Sequence, residues 1–204
     1  MKEPRVTLIA VRALVPIPDA ELVPPPELFA HRSTLHGQAH VARVMVHAFR
    51  LIEATGFTPE TVRLWAAVYL HDLARTHDGT CHRHGPDAWA RLPTLPDVRA
   101  LFARAGVTGD DDPAIEAAVT IHSHGEPTAD DPHRRLMALL KDADGLDRVR
   151  LGDLDPRYFR HPQTPGMVGF ARRLFEETDG RLEPGPDYWS RLWPHVERLL
   201  AKPA

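Results

Sequence analysis

Apolar positions recur at three- and four-residue steps along most of this chain, and proline and glycine break the pattern into segments. From Gly37 to about Ala54, Val41, Val44, Met45, Ala48, Leu51 and Ile52 form one stripe, which predicts an amphipathic helix stopped by Gly56. Thr58-Pro59-Glu60-Thr61 then reads as an N-cap, a first-turn proline and an early acid. The helix it opens runs to about Leu73, and its run from Val62 to Leu70 is apolar on most faces, so it is the expected central helix. Asp78-Gly79 marks a loop over residues 74–81. Further helices are predicted from Pro86 to Leu92, from Asp97 to Ala105 with Gly106 as stop, from Asp112-Pro113 through His122, and from Asp131-Pro132 past Leu136, Leu139 and Leu140. Residues 151–166 read as irregular, and helices near 167–178 and 187–200 finish the chain.

The beginning is less regular. Residues 6–15 fit either a short strand or an apolar arm laid across the helices, because periodicity does not arbitrate so short a run. Residues 16–30 contain three consecutive prolines, Pro24 to Pro26, which forbid a helix interior and suggest a linker or a lid-like extension. No β-alternation or internal repeat stands out. The expected architecture is all-α: one helical bundle of seven or more helices over residues 31–204, preceded by a Pro-rich N-terminal extension over residues 1–30.

Composition narrows the functional classes. A chain of 204 residues fits one domain with a substantial core. Lys and Arg number 25 against 28 Asp and Glu, a formal charge of −3 with no long basic block. Duplex nucleic acid is therefore not an expected partner, although a local arginine cluster would still suit a phosphate. The single Cys81 excludes an intramolecular disulfide and suits a reducing, cytoplasmic compartment. No apolar run approaches the ~20 residues of a membrane span, and the first residues make a poor signal peptide, so no membrane partner is expected. Trp189 and Trp193 lie four apart on the last helix, which suggests docking onto the bundle. Together with Trp65 and Trp89 they also leave room for an aromatic patch and oligomerisation.

His71-Asp72 closes the most apolar segment of the chain. A neutral imidazole beside a carboxylate in a buried setting is costly unless something pairs with both, and a divalent metal ion does so economically. The plainer reading is a helix C-terminus, which favours His71 through the helix dipole but does not favour Asp72. His40 lies near the apolar stripe of its helix; His36, four residues earlier, shares its face only if the helix has begun there, and His47 follows seven residues on. All three also fit a core edge or a surface. His84-Gly85-Pro86 suits a helix start with the imidazole turned into a pocket, whereas His77 and His82 fit a pocket mouth. His122 follows the apolar periodicity of its helix, and His124, two residues on, points to another face. Asp142, Asp144 and Asp147 form an acidic ladder beside Arg148, Arg150, Arg157 and Arg160, which read either as surface ion pairs or as phosphate-binding guanidinium groups.

The order His40, His71-Asp72, Asp144 resembles the HD-domain superfamily of metal-dependent phosphohydrolases, over roughly residues 31–160. The resemblance implies that His40, His71, Asp72 and Asp144 hold one ion. His84 and His122 match the additional ligands of the two-metal branches, with Asp72 as the bridging carboxylate. The stretch from His122 to Pro127 lacks the Gly-Tyr-Pro signature of the cyclic-dinucleotide branch, and no synthetase-like segment accompanies it, so neither cyclic-dinucleotide nor two-headed alarmone chemistry is expected. What the resemblance implies is an all-α enzyme that hydrolyses a small phosphate ester or nucleotide through a metal-activated water. One or two divalent ions (Mn, Fe, Co, Ni or Zn) would serve it, with Asp72 at the reaction centre, His124 and His36 as proton-transfer or substrate groups, and Arg148 or Arg160 on the phosphate. The same six ligands also resemble those of HD-fold di-iron oxygenases. A non-catalytic ligand-sensing HD module is the third reading.

Overall fold

The computed structural model describes residues 7–201, and every regular element among them is helical. In chain order these are α1 (Leu8–Ala13), α2 (Gln38–Thr55), α3 (Thr61–Leu70), α4 (His84–Arg91), α5 (Pro96–Arg104), α6 (Asp112–Ile121), α7 (Arg134–Leu146), α8 (Val168–Thr178) and α9 (Tyr188–Ala201), joined by turns and short 3-10 segments. Helices α2, α3, α6 and α7 pack on one another; α4 lies on α6, α1 and α9 lie on α2, and α8 lies on α9. None of these helices is long and apolar enough to cross a membrane.

The apolar stripe of α2 is wholly buried, and Gly56 ends the helix in the left-handed region at φ 74°, donating its N–H to the Ile52 carbonyl at 2.8 Å. Helix α3 is central as its apolar run predicts, with every residue from Leu64 to Leu70 buried. Trp65 is fully buried at its middle, edge-on to Tyr69 and Phe102 with centroids 5.7 and 5.2 Å away. A tryptophan in that setting contributes on the order of 3–5 kcal/mol relative to alanine.

Four helix boundaries differ from expectation, and two of them matter for chemistry. Thr58 does not cap α3: residues Thr58–Glu60 wind as a 3-10 turn, and the Thr61 hydroxyl donates back to the Thr58 carbonyl at 2.8 Å. Helix α3 then stops at Leu70, so His71 to Ala74 lie in turns and not in a helix reaching Leu73. Asp131-Pro132 precedes α7 by a turn, with the Asp131 carboxylate accepting the His133 N–H at 2.7 Å. Helix α4 begins at His84, two residues before the expected start.

The segment before α2 packs on the bundle. Of the two readings of residues 6–15 the apolar arm holds: its described part contains the short helix α1, which buries Leu8 and Val11. Residues 16–30 bury Ile17, Leu22 and Val23, and their carbonyls accept side-chain donors from the bundle, Leu22 from Trp65 Nε1 at 2.9 Å and Leu28 from Arg91 at 2.7 Å. None of these residues lines the cleft at the candidate site.

Candidate metal centre

The first turn of α2, the C-terminal ends of α3, α6 and α7 and the first residue of α4 converge at one end of the bundle. Their residues are His40, His71-Asp72, His122, Asp144 and His84. All but Asp144 are buried, and Asp144 is partly exposed on the cleft wall. His40 Nε2 lies 3.2 Å from His71 Nε2, 3.4 Å from Asp72 Oδ2 and 3.3 Å from Asp144 Oδ1. The other oxygen of the same carboxylate faces a second pair: Asp72 Oδ1 is 3.1 Å from His84 Nε2 and 3.9 Å from His122 Nε2, and those two nitrogens are 2.8 Å apart. Two buried His/His/Asp triads, sharing Asp72, are thus present and capable of coordinating a divalent metal ion.

The far side of each ring explains why the Nε2 atoms point inward. His71, His84 and His122 each place Nδ1 on the carbonyl three residues earlier, Val68 at 2.7 Å, Cys81 at 2.7 Å and Val119 at 2.6 Å. Val68 and Val119 sit in the last turns of α3 and α6, where carbonyls lack helical partners, so the helix ends supply the acceptors. A ring that donates from Nδ1 presents an unprotonated Nε2, which is how metal-binding imidazoles are oriented. His84 and His122 therefore aim two lone pairs at each other across 2.8 Å. That approach is repulsive unless positive charge stands between them, and a divalent cation fits it.

His40 uses a carboxylate in place of a carbonyl. Its Nδ1 is 2.8 Å from Asp147 Oδ2, and Asp147 is gripped by Arg43 through Nε at 2.7 Å and Nη2 at 3.0 Å. Burial and Arg150 oppose a charge on His40, but hydrogen bonds to Asp144, Asp147 and Asp72 outweigh them and hold it up at about 9. His71 behaves oppositely, with burial pushing it down to about 3. Burial also resists ionisation of Asp72, yet electrostatic interaction with the His71 ring and hydrogen bonds to His122, His40 and His84 hold it well below the usual carboxylate range. The first triad thus attracts positive charge.

Asp72, His84, His122 and Asp144 line a cleft of about 790 Å³, whose walls also include Arg75, Lys141, Arg148, Arg150 and Arg160. Arg148 is paired with Asp153, and Arg160 with Glu126 and, at 3.2 Å, with Asp142. Asp142 points away from the triads; it collects the backbone N–H groups of Arg160 and His161 at 2.9 Å and the Thr164 hydroxyl at 2.8 Å, tying down the 152–166 segment. His36 lies before α2 and not on it, so it reaches His40 edge-on with centroids 6.0 Å apart, while its Nδ1 contacts Asp78 at 3.1 Å. Burial lowers His36 to about 4. His124 stands exposed at the cleft rim, 6.0 Å from His82 between centroids. His47 is fully buried against Phe170 with neither ring nitrogen hydrogen-bonded, and lies outside the triads.

Gly85 sets how closely α4 approaches α6. A Cβ there would lie 2.3 Å from the Val119 carbonyl oxygen and 3.0 Å from that of Thr120. Those atoms are backbone, so they cannot swing aside, and Gly85→Ala must push α4 outward and carry His84 away from His122. Metal uptake by the second triad is expected to weaken about 10–100-fold, as for loss of an orienting contact, with the first triad much less affected. Titration calorimetry with Mn(II) reads this directly, and equal weakening of both positions would show that Gly85 has no local role.

Two residues of this arrangement escaped the spacing argument. Asp147 was legible only as part of an acidic ladder, and Arg43 carried no signal of its own; their burial, the grip of Arg43 on Asp147 and that of Asp147 on His40 depend on where α7 crosses α2. A scan against protein-family models finds no match to this chain, and searches of curated proteins and of solved structures find none either.

Proposed function

We propose that this chain is a metal-dependent phosphohydrolase of the HD type, acting on a small phosphate ester or nucleotide. The observation that supports this best is Asp72, whose two carboxylate oxygens face separate pairs of inward-pointing Nε2 atoms in a cleft lined by both guanidinium groups and carboxylates. In this reading His40, His71, Asp72 and Asp144 hold one ion, and Asp72, His84 and His122 a second. A bound divalent ion lowers the pKa of a coordinated water and polarises a phosphoryl oxygen.

The chain's own part is positioning and electrostatics. Apolar packing of α2, α3, α6 and α7 excludes water from behind the triads, which keeps charge interactions strong. His36, neutral at pH 7 and steadied by Asp78, suits a proton acceptor on the cleft wall. His124 suits a proton carrier or substrate contact at the rim, where burial and His82 lower its pKa. Arg148 and Arg160 meet a substrate phosphate with guanidinium N–H groups not used by Asp153 and Glu126, or by exchanging those carboxylates for it.

The test is protein purified without chelator, assayed for metal content and for phosphate release from a panel of nucleotides and phosphomonoesters. Manganese, cobalt, nickel or zinc together with phosphate release is the expected result. A donor set of four imidazoles and two carboxylates, without sulfur, also suits two irons, which favours an oxygenase as the second reading. Oxygen uptake by the ferrous protein with a polyol or phosphonate, and no phosphate release from any ester, would replace hydrolysis by that reading. No metal even after repletion would overturn both.

A further inference from the structure

We propose that the two triads load unequally, and that the second takes its ion together with an oxyanion held by Arg75. This rests on the two-position metal reading above and goes beyond it in assigning order, linkage and a residue.

The first triad has a further protein carboxylate within reach, Asp144 Oδ1 at 3.3 Å from His40 Nε2, and its His40 is backed by Asp147. A histidine hydrogen-bonded to a carboxylate is a more basic ligand than one on a carbonyl. The second triad has neither advantage. His84 and His122 rest on carbonyls, and their only carboxylate is the one shared with the first triad.

Positive charge also crowds the second triad. Arg75 Nη1 lies 3.1 Å from His84 Nδ1 and 3.4 Å from His84 Nε2, and Arg75 Nε lies 4.0 Å from Asp72 Oδ1, the oxygen that faces this triad. On the other side, Lys141 Nζ sits 3.0 Å from the carbonyls of Ile121 and His122. Placing a divalent cation there brings it against a guanidinium that competes for the same carboxylate oxygen. An oxyanion between the two relieves the repulsion. Arg75 is suited to hold it: the side chain is buried and positioned by an Nη2 bond to the Gly79 carbonyl at 3.2 Å, its Nε has no hydrogen-bond partner among the described residues, and the Asp72 carboxylate lies 4.0 Å from that Nε. The guanidinium groups of Arg148 and Arg160 already have close acidic partners. The oxyanion is a phosphate or a phosphoryl group of the substrate, whose geometry a guanidinium matches.

Linkage makes the prediction reciprocal: if phosphate tightens the second metal, that metal tightens phosphate by the same factor. The experiment counts bound Mn(II) on the full chain by electron paramagnetic resonance of the free ion, with and without submillimolar inorganic phosphate, and needs no turnover. One tight equivalent without phosphate is expected, with a second that phosphate strengthens by at least about tenfold, within the ordinary range of coupling factors. Arg75→Gln is expected to tighten the second equivalent in the absence of phosphate and to flatten its phosphate dependence. Arg75→Lys, which keeps the charge, is expected to leave the second equivalent weak. Two equal equivalents indifferent to phosphate would overturn the inference while leaving hydrolysis to stand on phosphate release. Unchanged phosphate dependence in a folded Arg75→Gln would overturn the role of Arg75. Failure to bind any Mn(II) would remove the metal-centre reading and this inference with it.

Discussion

Asp72→Ala is expected to abolish metal uptake at both positions and turnover with it. Asp72 is the residue common to the two triads, so its removal leaves two imidazoles at the second, two imidazoles with the partly exposed Asp144 at the first, and takes the shared charge from between them. Loss of metal assistance removes several kcal/mol of transition-state stabilisation, on the order of 10³-fold or more in rate. Asp72→Asn separates charge from shape. Its amide retains one oxygen for one triad and turns an NH2, which cannot ligate, toward the other. With phosphate present, elemental analysis should therefore find two equivalents in the wild type, at most one in Asp72→Asn and essentially none in Asp72→Ala. Equal metal content in all three, or undiminished phosphate release by Asp72→Ala after repletion, would sink the assignment of Asp72 as the bridge.

The cluster of His40, His71, Asp72, His84, His122 and Asp144 was legible as an order along the chain because each falls at or near a helix end marked by composition. The apolar run into His71 and the Gly-Pro after His84 are local signals, and local signals survive folding. The α3 boundary was harder. Leu73 keeps the three-residue apolar step from Leu70 across His71-Asp72, but the chain turns after Leu70, and the Val68 carbonyl freed there accepts a hydrogen bond from His71 Nδ1. The same tertiary demand starts α4 at His84. Nothing local separated Asp142, Asp144 and Asp147: within six residues at the end of α7 they point to the 152–166 segment, the cleft and the interior respectively. Burial of Asp147 is a property of the α2–α7 crossing, and no spacing rule reports it. Likewise the guanidinium groups singled out from the basic cluster, Arg148 and Arg160, proved to be engaged with acids. Arg75, three residues after Asp72 and outside any cluster, has its nearest acidic contact at 4.0 Å, and Arg150 at 3.7 Å, so neither is held by an acid as closely as Arg148 and Arg160 are.

Asp147→Ala is expected to be the most destabilising single change near the site, and to weaken the first metal position without touching a ligand. Asp147 is fully buried and accepts two bonds from the equally buried Arg43 and one from His40. Removing one partner of a buried, hydrogen-bonded ion pair costs about 3–5 kcal/mol because the other charge is left unpaired. In a chain of this size that corresponds to a melting temperature lower by about 10 °C. Leaving Arg43 unpaired is the larger share, so a double variant, Arg43→Met with Asp147→Leu, should recover much of the stability. It should not recover the metal affinity, because His40 still lacks the acceptor that fixes its tautomer and orientation, a loss of about 10–100-fold. The pH dependence follows the same contact. Burial opposes ionisation of Asp147, but the Arg43 charge and the His40 hydrogen bond prevail and hold its carboxyl well below the usual carboxylate range. A carboxyl lowered on folding contributes stability that is complete above its unfolded pKa, near about 4, and is lost as pH falls through the folded value. Thermal melts of chelator-treated protein between pH 6 and acid should therefore fall more steeply for the wild type than for the double variant. An equal acid slope in both, or full metal affinity in the double variant, would show that the pair holds the fold alone and does not set the geometry of His40.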